Sequence, residues 1–251
     1  LVGVIGDVGA VSILVSPAYL RTSPGAAFRS RHQDRLYYAV LLAFLAVLLA
    51  VPLAGNLAEA WLLIEATTAF SALLVGFSGK PRALEAGWKY LILTSLGLGV
   101  ALLGIGLLAR GVPDHGLAGL SWHVLASYQA GHRQATVAYM LVLVGLSAKI
   151  GWAPVHNWLP DAHSEAPPPV SAILSAALLP AVLLVAWRVE LALTPLLGGN
   201  TAARVLIAFG LLSLLVAVPF LWQRLPWKRL LAYSSLEHMG VIALGLGFGT
   251  S

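Results

Sequence analysis

The sequence predicts an all-α, polytopic transmembrane helical bundle, and three observations point to it. Hydrophobic residues make up 59% of the 251 residues and charged residues only 10%, whereas a soluble domain carries about 25% charged residues. The apolar residues gather into runs close to the roughly 20 residues that cross a hydrocarbon core. The basic residues behind the +5 net charge sit mostly in short segments between those runs. That is a positive-inside pattern, not the basic stripe of a nucleic-acid binder. The lipid bilayer is therefore an expected partner and nucleic acid is not. The chain has no cysteine, which excludes disulfides, thiolate metal sites and protein-ligated iron-sulfur clusters, so any redox chemistry lies in a partner. No cofactor or metal site is predicted. The chain begins at Leu1 and ends at Ser251 just after an apolar run, and it reads as part of a longer protein.

Eight runs are candidate spans, about one per helix needed to cross. The first, 1–20, is broken only by Asp7, and the second, 36–54, follows the charged stretch RSRHQDR. The third, 57–77, carries one acidic residue near its centre, and the fourth, 86–109, follows Lys80 and Arg82. The fifth, 137–155, runs into Pro154, and the sixth, 170–189, follows Pro167, Pro168 and Pro169. The seventh and eighth, 203–222 and 230–250, flank Arg224, Lys228 and Arg229. Three basic loops fall on one side of this arrangement: Arg21, Arg29, Arg31 and Arg35; Lys80 and Arg82; and Arg224, Lys228 and Arg229. The other side has Gly55 and its neighbours, then Arg110 and Arg133, then Arg188 and Arg204. The more basic side is assigned to the cytoplasm, so the 156–169 segment approaches the cytoplasmic face.

The segment KIGWAPVHNWLPDAHSEAPPPVS, residues 149–171, holds a lysine, two histidines, two carboxylates and five prolines at the end of an apolar run. Lys149 comes about twelve residues into that run, about 18 Å along a helix at about 1.5 Å per residue, near the middle of a core about 30 Å thick. Pro154 and Pro160 then predict a broken helix. Irregular backbone at that depth survives only inside protein or beside a wet cavity, and an intramembrane charge marks a functional site by default. The alternative is a lysine snorkelling to the interface.

Glu65 lies near the centre of its run, where it must face the protein interior, with Thr67 and Thr68 free to donate to the carboxylate or the backbone. Burial favours the neutral form of a lysine and a nearby carboxylate favours the charged form, so a Glu65 partner would switch a buried lysine between holding and releasing a proton. Lys89 lies near the start of the fourth run, where snorkelling and a pathway role are equally open. His156 and His163 are seven apart and suit proton relay, but they lack the i, i+4 spacing of helical metal ligands. Asp161 and Glu165 either join that relay or cap a short helix. Glu237 and His238 either extend a polar line inward or bridge helices. No Gly-rich nucleotide loop, nucleophile elbow or metalloprotease helix is present, so a self-contained enzyme is not expected. The glycines of GLGLGVALLGIG are read as sites of close helix packing.

With IEATTAFSALLVGF, ALEAGWKYLI, WLPDAH, HSEAPPPVSA and AYSSLEHMG in view, nearly the whole chain resembles the antiporter-like membrane subunits of respiratory complex I, Mrp-type sodium/proton antiporters and energy-converting hydrogenases. Within that superfamily the motifs most resemble the hydrogenase-4 and formate hydrogenlyase branch. The resemblance implies about fourteen helices in two inverted five-helix repeats, of which this chain would hold the third to tenth helices. Residues 36–189 would form one repeat and 203–251 the start of the second. It also implies that Glu65 is the fifth-helix glutamate, Lys149 the broken seventh-helix lysine and His238 a histidine of the central polar axis. Where complex I relatives often carry a further lysine on the eighth helix, this chain has Pro180, so either water or Lys89 bridges that step or this half-channel conducts poorly. The implied function is a proton-translocating subunit of a multi-subunit oxidoreductase in a prokaryotic inner membrane. Glu65 would tune Lys149, with His156, His163 and His238 as relays. Implied partners are other membrane subunits and a peripheral redox arm carrying iron-sulfur or nickel-iron centres. A cation/proton antiporter and a non-conducting scaffold are the alternatives.

Overall fold

The computed structural model describes residues 1–23, 30–112, 118–125, 127, 131–197 and 201–249. Arg29, one of the expected basic-loop residues, lies outside them. The helices are α1 (Val2–Thr22), α2 (Arg31–Ala50), α3 (Leu57–Val75), α4 (Pro81–Gly111), a single turn α5 (Trp122–Leu125), α6 (His132–Ile150), α7 (Leu159–Glu165), α8 (Pro168–Ile173), α9 (Leu179–Leu197), α10 (Thr201–Leu221) and α11 (Trp227–Gly249). No strand occurs among the described residues. The chain is an integral membrane helical bundle.

Local sequence sets the helix ends. Ser30 and Gln33 close a capping box that satisfies two orphan donors at the start of α2. Asn56 accepts from the Glu59 N–H to start α3, and Pro81 opens α4 where its missing donor costs nothing. Between α8 and α9 the helix widens into a π turn, Leu174–Leu178, directly ahead of Pro180. Proline has no N–H and its ring crowds the carbonyl four residues back, and the wider turn accommodates that conflict.

Among the described residues, seven helices are long and apolar enough to cross a membrane, with Pro168–Leu197 counted as one. Eight were expected. The difference is the 137–155 run, whose helix α6 instead spans His132–Ile150. It opens on the polar His132, Arg133 and Gln134 and stops four residues before Pro154, so polar residues dilute its apolar stretch. The stop is Gly151, in the left-handed region at φ 84°, which caps the helix through its N–H to the Ser147 carbonyl. Glycine accepts that conformation without steric penalty. The break comes a few residues before Pro154, and Lys149 lies in the last turn of α6, within a turn of the interruption.

α4 and α6 pack backbone to backbone. A Cβ on Gly145 would lie 2.4 Å from the Ala101 nitrogen and 2.5 Å from the Gly97 carbonyl oxygen, so this crossing tolerates no side chain. Gly97 and Gly104 of the glycine-rich run line the same seam, while Gly99 and Gly106 face open space. The crossing presses the end of α6 against α4.

The two ends of the bundle differ. At one, the Trp122 indole donates to the Ala54 carbonyl, Arg188 donates to the Pro52 carbonyl, and a His132 ring nitrogen lies 2.6 Å from the Leu196 carbonyl oxygen. At the other, the basic segments around Arg82 and Arg229 converge on α7. Lys228 there donates to the Ser164 and Ala166 carbonyls.

Candidate functional site

Lys149 is fully buried and points into the bundle, not to a headgroup layer. Its ammonium donates to the Thr68 hydroxyl of α3 at 2.7 Å and to the Tyr90 hydroxyl of α4. Tyr90 in turn shares a hydrogen bond of 2.7 Å with Ser71. Three helices thus contribute: α6 carries the cation, α3 supplies Thr68 and Ser71, and α4 supplies Tyr90. An ammonium has three donors and no acceptor, so two are occupied by hydroxyl oxygens.

Glu65 is one turn before Thr68 on α3. One carboxylate oxygen accepts from Ser95 of α4 at 2.6 Å. The other is buried without a hydrogen-bond partner among the described residues. Glu65 therefore acts on Lys149 through space, within the range of a coulombic interaction, and not through an ion pair. Thr67 and Thr68 both donate to the Ile64 carbonyl rather than to Glu65. Tyr90, Ser71 and Ser95 were not singled out from the sequence. The available signal was a tyrosine in an apolar helix, because a buried phenol needs a partner for its O–H.

The break behind Lys149 is pinned by two indoles. Trp158 donates to the Ala148 carbonyl at 2.6 Å, and Trp152 donates to the Met239 carbonyl of α11 at 2.9 Å. Ala153 N–H donates to the Ser213 hydroxyl of α10. The Ala148 carbonyl and the Ala153 N–H freed at the helix end are thus satisfied by protein, as the low-dielectric setting favours.

His163 is buried, with one ring nitrogen 3.1 Å from the Ser171 hydroxyl and the other without a hydrogen-bond partner among the described residues. It lines a groove of about 610 Å³ with Ser171, Ser175, Lys228, Ser235 and His238. Ser175 and Ser235 are joined at 2.7 Å. The groove thus brings His163 and His238 to one wet-sized space between α7, α8 and α11. His238 is largely exposed, and it pairs with Glu237 at 3.4 Å and with the Ser234 carbonyl at 2.6 Å. His156 is half-buried on the 151–158 segment, with one ring nitrogen unpartnered among the described residues. No hydrogen bond among the described residues links these histidines to Lys149. The Trp158 ring stands between, tilted against Tyr90 at 4.7 Å and stacked on His163 at 6.4 Å.

Lys89 pairs with Glu85 at 2.6 Å and with Asp161 at 3.5 Å, and Arg229 reaches Asp161 at 3.6 Å. Together with Arg82 and Glu165 they line a depression of about 260 Å³ at the α7 end. Asp161 does not cap α7, because the cap position is Trp158 and no side chain accepts there. Glu165 ends that helix. Lys89 sits at this charged depression and does not reach the buried Lys149.

The comparisons fit this geometry. A family model described as the transmembrane region of NADH:quinone oxidoreductases and Mrp antiporters matches residues 54–251. The hydrogenase-4 component F homolog of Methylacidiphilum infernorum is 35% identical over 247 residues, 96% of this chain and 52% of that protein. An NADH-quinone oxidoreductase subunit N of Rhizorhabdus wittichii is 31% identical over 246 residues, 96% of this chain and 48% of that protein. The chain spans about half the length of these two curated relatives. Among solved structures, a chain of an archaeal membrane-bound sulfane sulfur reductase shares the fold at a TM-score of 0.85 and 24% identity, covering 97% of this chain and 48% of that one. A chain of respiratory complex I from Thermus thermophilus gives a TM-score of 0.71 at 25% identity, covering 97% and 51%. With more than half of its residues matched by the family model, the chain belongs to the NADH:quinone oxidoreductase/Mrp antiporter transmembrane family.

Proposed function

We propose that this chain is part of a proton-translocating membrane subunit of a multi-subunit oxidoreductase, of the hydrogenase-4 or complex I type. The observation that carries the proposal is a fully buried lysine at a helix break, held by hydroxyls of two neighbouring helices, with the Glu65 carboxylate one turn from the Thr68 hydroxyl that holds it. Such a group binds a proton when the carboxylate charge is near and releases it when that charge is neutralised or moved. Tyr90 and Ser71 lead away from Lys149 as a hydroxyl pair that can accept and donate in either direction. His163 and His238 line a second, largely apolar groove into which Ser171, Ser175 and Ser235 also project, and movement of the Trp158 ring joins the two. The similarity to the hydrogenase-4 component F homolog supports the branch.

On this proposal the basic α7 end faces the cytoplasm, in the prokaryotic cell membrane. Residues 36–189 form the first five-helix repeat and 203–251 begin the second. Other membrane subunits bind alongside, and a peripheral arm carrying iron-sulfur or nickel-iron centres supplies the redox energy. Lys149→Ala in the complete assembly, reconstituted in vesicles, tests it. Turnover-driven proton uptake is abolished while subunit content stays unchanged. Uptake at the wild-type rate would refute it. The matched family also includes Mrp antiporters, and on that reading the same vesicles show sodium-dependent proton flux without redox turnover.

A further inference from the structure

The site above leaves one buried ionisable group unused. Glu190 of α9 is 1% exposed, in the seam that α9 shares with α6. Across that seam Tyr139 of α6 is also buried, close enough for the carboxylate charge to act on its hydroxyl, which has no hydrogen-bond partner among the described residues. An ionisable group buried in a seam between membrane-spanning helices is a functional-site candidate by default.

Helical spacing connects this pair to water. On α6, His132, Thr136 and Tyr139 stand at i, i+4 and i+7, and on α9 Glu190 and Thr194 stand at i and i+4, so each set shares one face. The two helices pack together and the faces meet where the Glu190 charge acts on Tyr139, while Thr136 and Thr194 donate to the His132 and Glu190 carbonyls of their own helices and keep acceptor lone pairs free. Exposure is graded along them: His132 is exposed, Thr136 and Thr194 are half-buried, and Tyr139 and Glu190 are buried. Tyr139 is ten residues from Lys149, about 15 Å at about 1.5 Å per residue. The stripe therefore opens at the end of the bundle opposite α7, the end away from Lys149.

We propose that Glu190 is a proton-binding group of this opposite half, exchanging protons with water at the α6–α9 end through the His132, Thr136, Thr194 and Tyr139 stripe. The step is the protonation of a carboxylate by water-borne acid and its reversal, with no change in oxidation state. It rests on the proton-translocating function proposed above.

The test compares Glu190→Gln, Glu190→Asp and Lys149→Ala in the complete assembly reconstituted in vesicles with a pH-sensitive dye. Glu190→Gln keeps the shape and removes the titratable group. It lowers proton uptake at least tenfold with unchanged subunit content, and Glu190→Asp recovers it to within threefold of wild type. An infrared carboxyl band that changes during turnover in the wild type is missing in Glu190→Gln, a signature that a packing role would not produce. If Glu190→Gln translocates at the wild-type rate while Lys149→Ala does not, the Glu190 inference is overturned and the function stands. If both translocate normally, both fail. If Glu190→Gln does not assemble, Tyr139→Phe decides: a slowing of threefold or more supports the stripe, and a wild-type rate overturns it.

Discussion

Tyr90→Phe is the most direct probe of the buried site, because it removes one oxygen and keeps the ring. That oxygen accepts from the Lys149 ammonium and is bonded to Ser71. A hydrogen bond to a charged group is worth about 1.5–3 kcal/mol net. At about 1.4 kcal/mol per factor of ten, its loss changes the proton-binding equilibrium of the lysine nitrogen by roughly ten- to a hundredfold. Packing is nearly untouched, since the ring keeps its contact with Trp158 at 4.7 Å. The expected result is an assembled complex whose turnover-driven proton uptake in vesicles falls by about tenfold or more, the lower bound of that same energy. Thr68→Val removes the second acceptor and should act in the same direction. The double variant should fall short of the product of the two effects, because both act on one nitrogen. Wild-type uptake in Tyr90→Phe would show that the hydroxyl contact with Lys149 is not part of proton binding, and the mechanism drawn from it would be wrong.

Glu65→Gln keeps the hydrogen bond from Ser95 but removes the charge acting on Lys149, and proton uptake should slow about tenfold, on the order of one pKa unit of differential interaction; an unchanged rate would make Glu65 structural. Gly145→Val places a branched side chain where even a Cβ would lie 2.4 Å from backbone. Overpacking of this kind costs about 1–3 kcal/mol or more, so thermal stability in detergent should drop and assembly yield with it. Asp161→Asn removes two partly exposed ion pairs at the α7 end. Exposed pairs are worth less than about 1 kcal/mol, so stability should barely change, and any rate difference seen at low ionic strength should vanish at high salt.

The parts of the molecule governed by composition were open to the sequence. Apolar run length located the spans, Lys149 and Glu65 stood out as charges inside them, and the prolines announced a break. What the sequence hid depends on three-dimensional neighbours. The break comes a few residues before Pro154 because Gly151 acts through its left-handed backbone, a property that a glycine in an apolar run does not advertise. Tyr90 sits beside Lys89 in the chain, yet it faces inward while Lys89 faces the charged depression. Only the helix phase separates them. Glu190 was passed over because Arg188 nearby looked like the end of a span, whereas α9 continues to Leu197. Asp161, open between a relay and a cap, pairs instead with Lys89 and Arg229, since ion pairing across elements leaves no trace in local spacing.

The two indole tethers at the helix break set how much work is needed to rearrange it. Trp158 holds the last turn of α6 and Trp152 holds α11, one residue beyond His238. Releasing a buried hydrogen bond and leaving its partner bare costs about 1–3 kcal/mol, so freeing both leaves the altered conformation a few kcal/mol uphill. A gap of that size keeps the alternative at roughly 0.1–10% of the population. The segment is therefore a latch rather than a loose loop. The two indole hydrogen bonds hold it shut most of the time, and a displacement of α11 that breaks the contact with the Met239 carbonyl would lower the work of opening it.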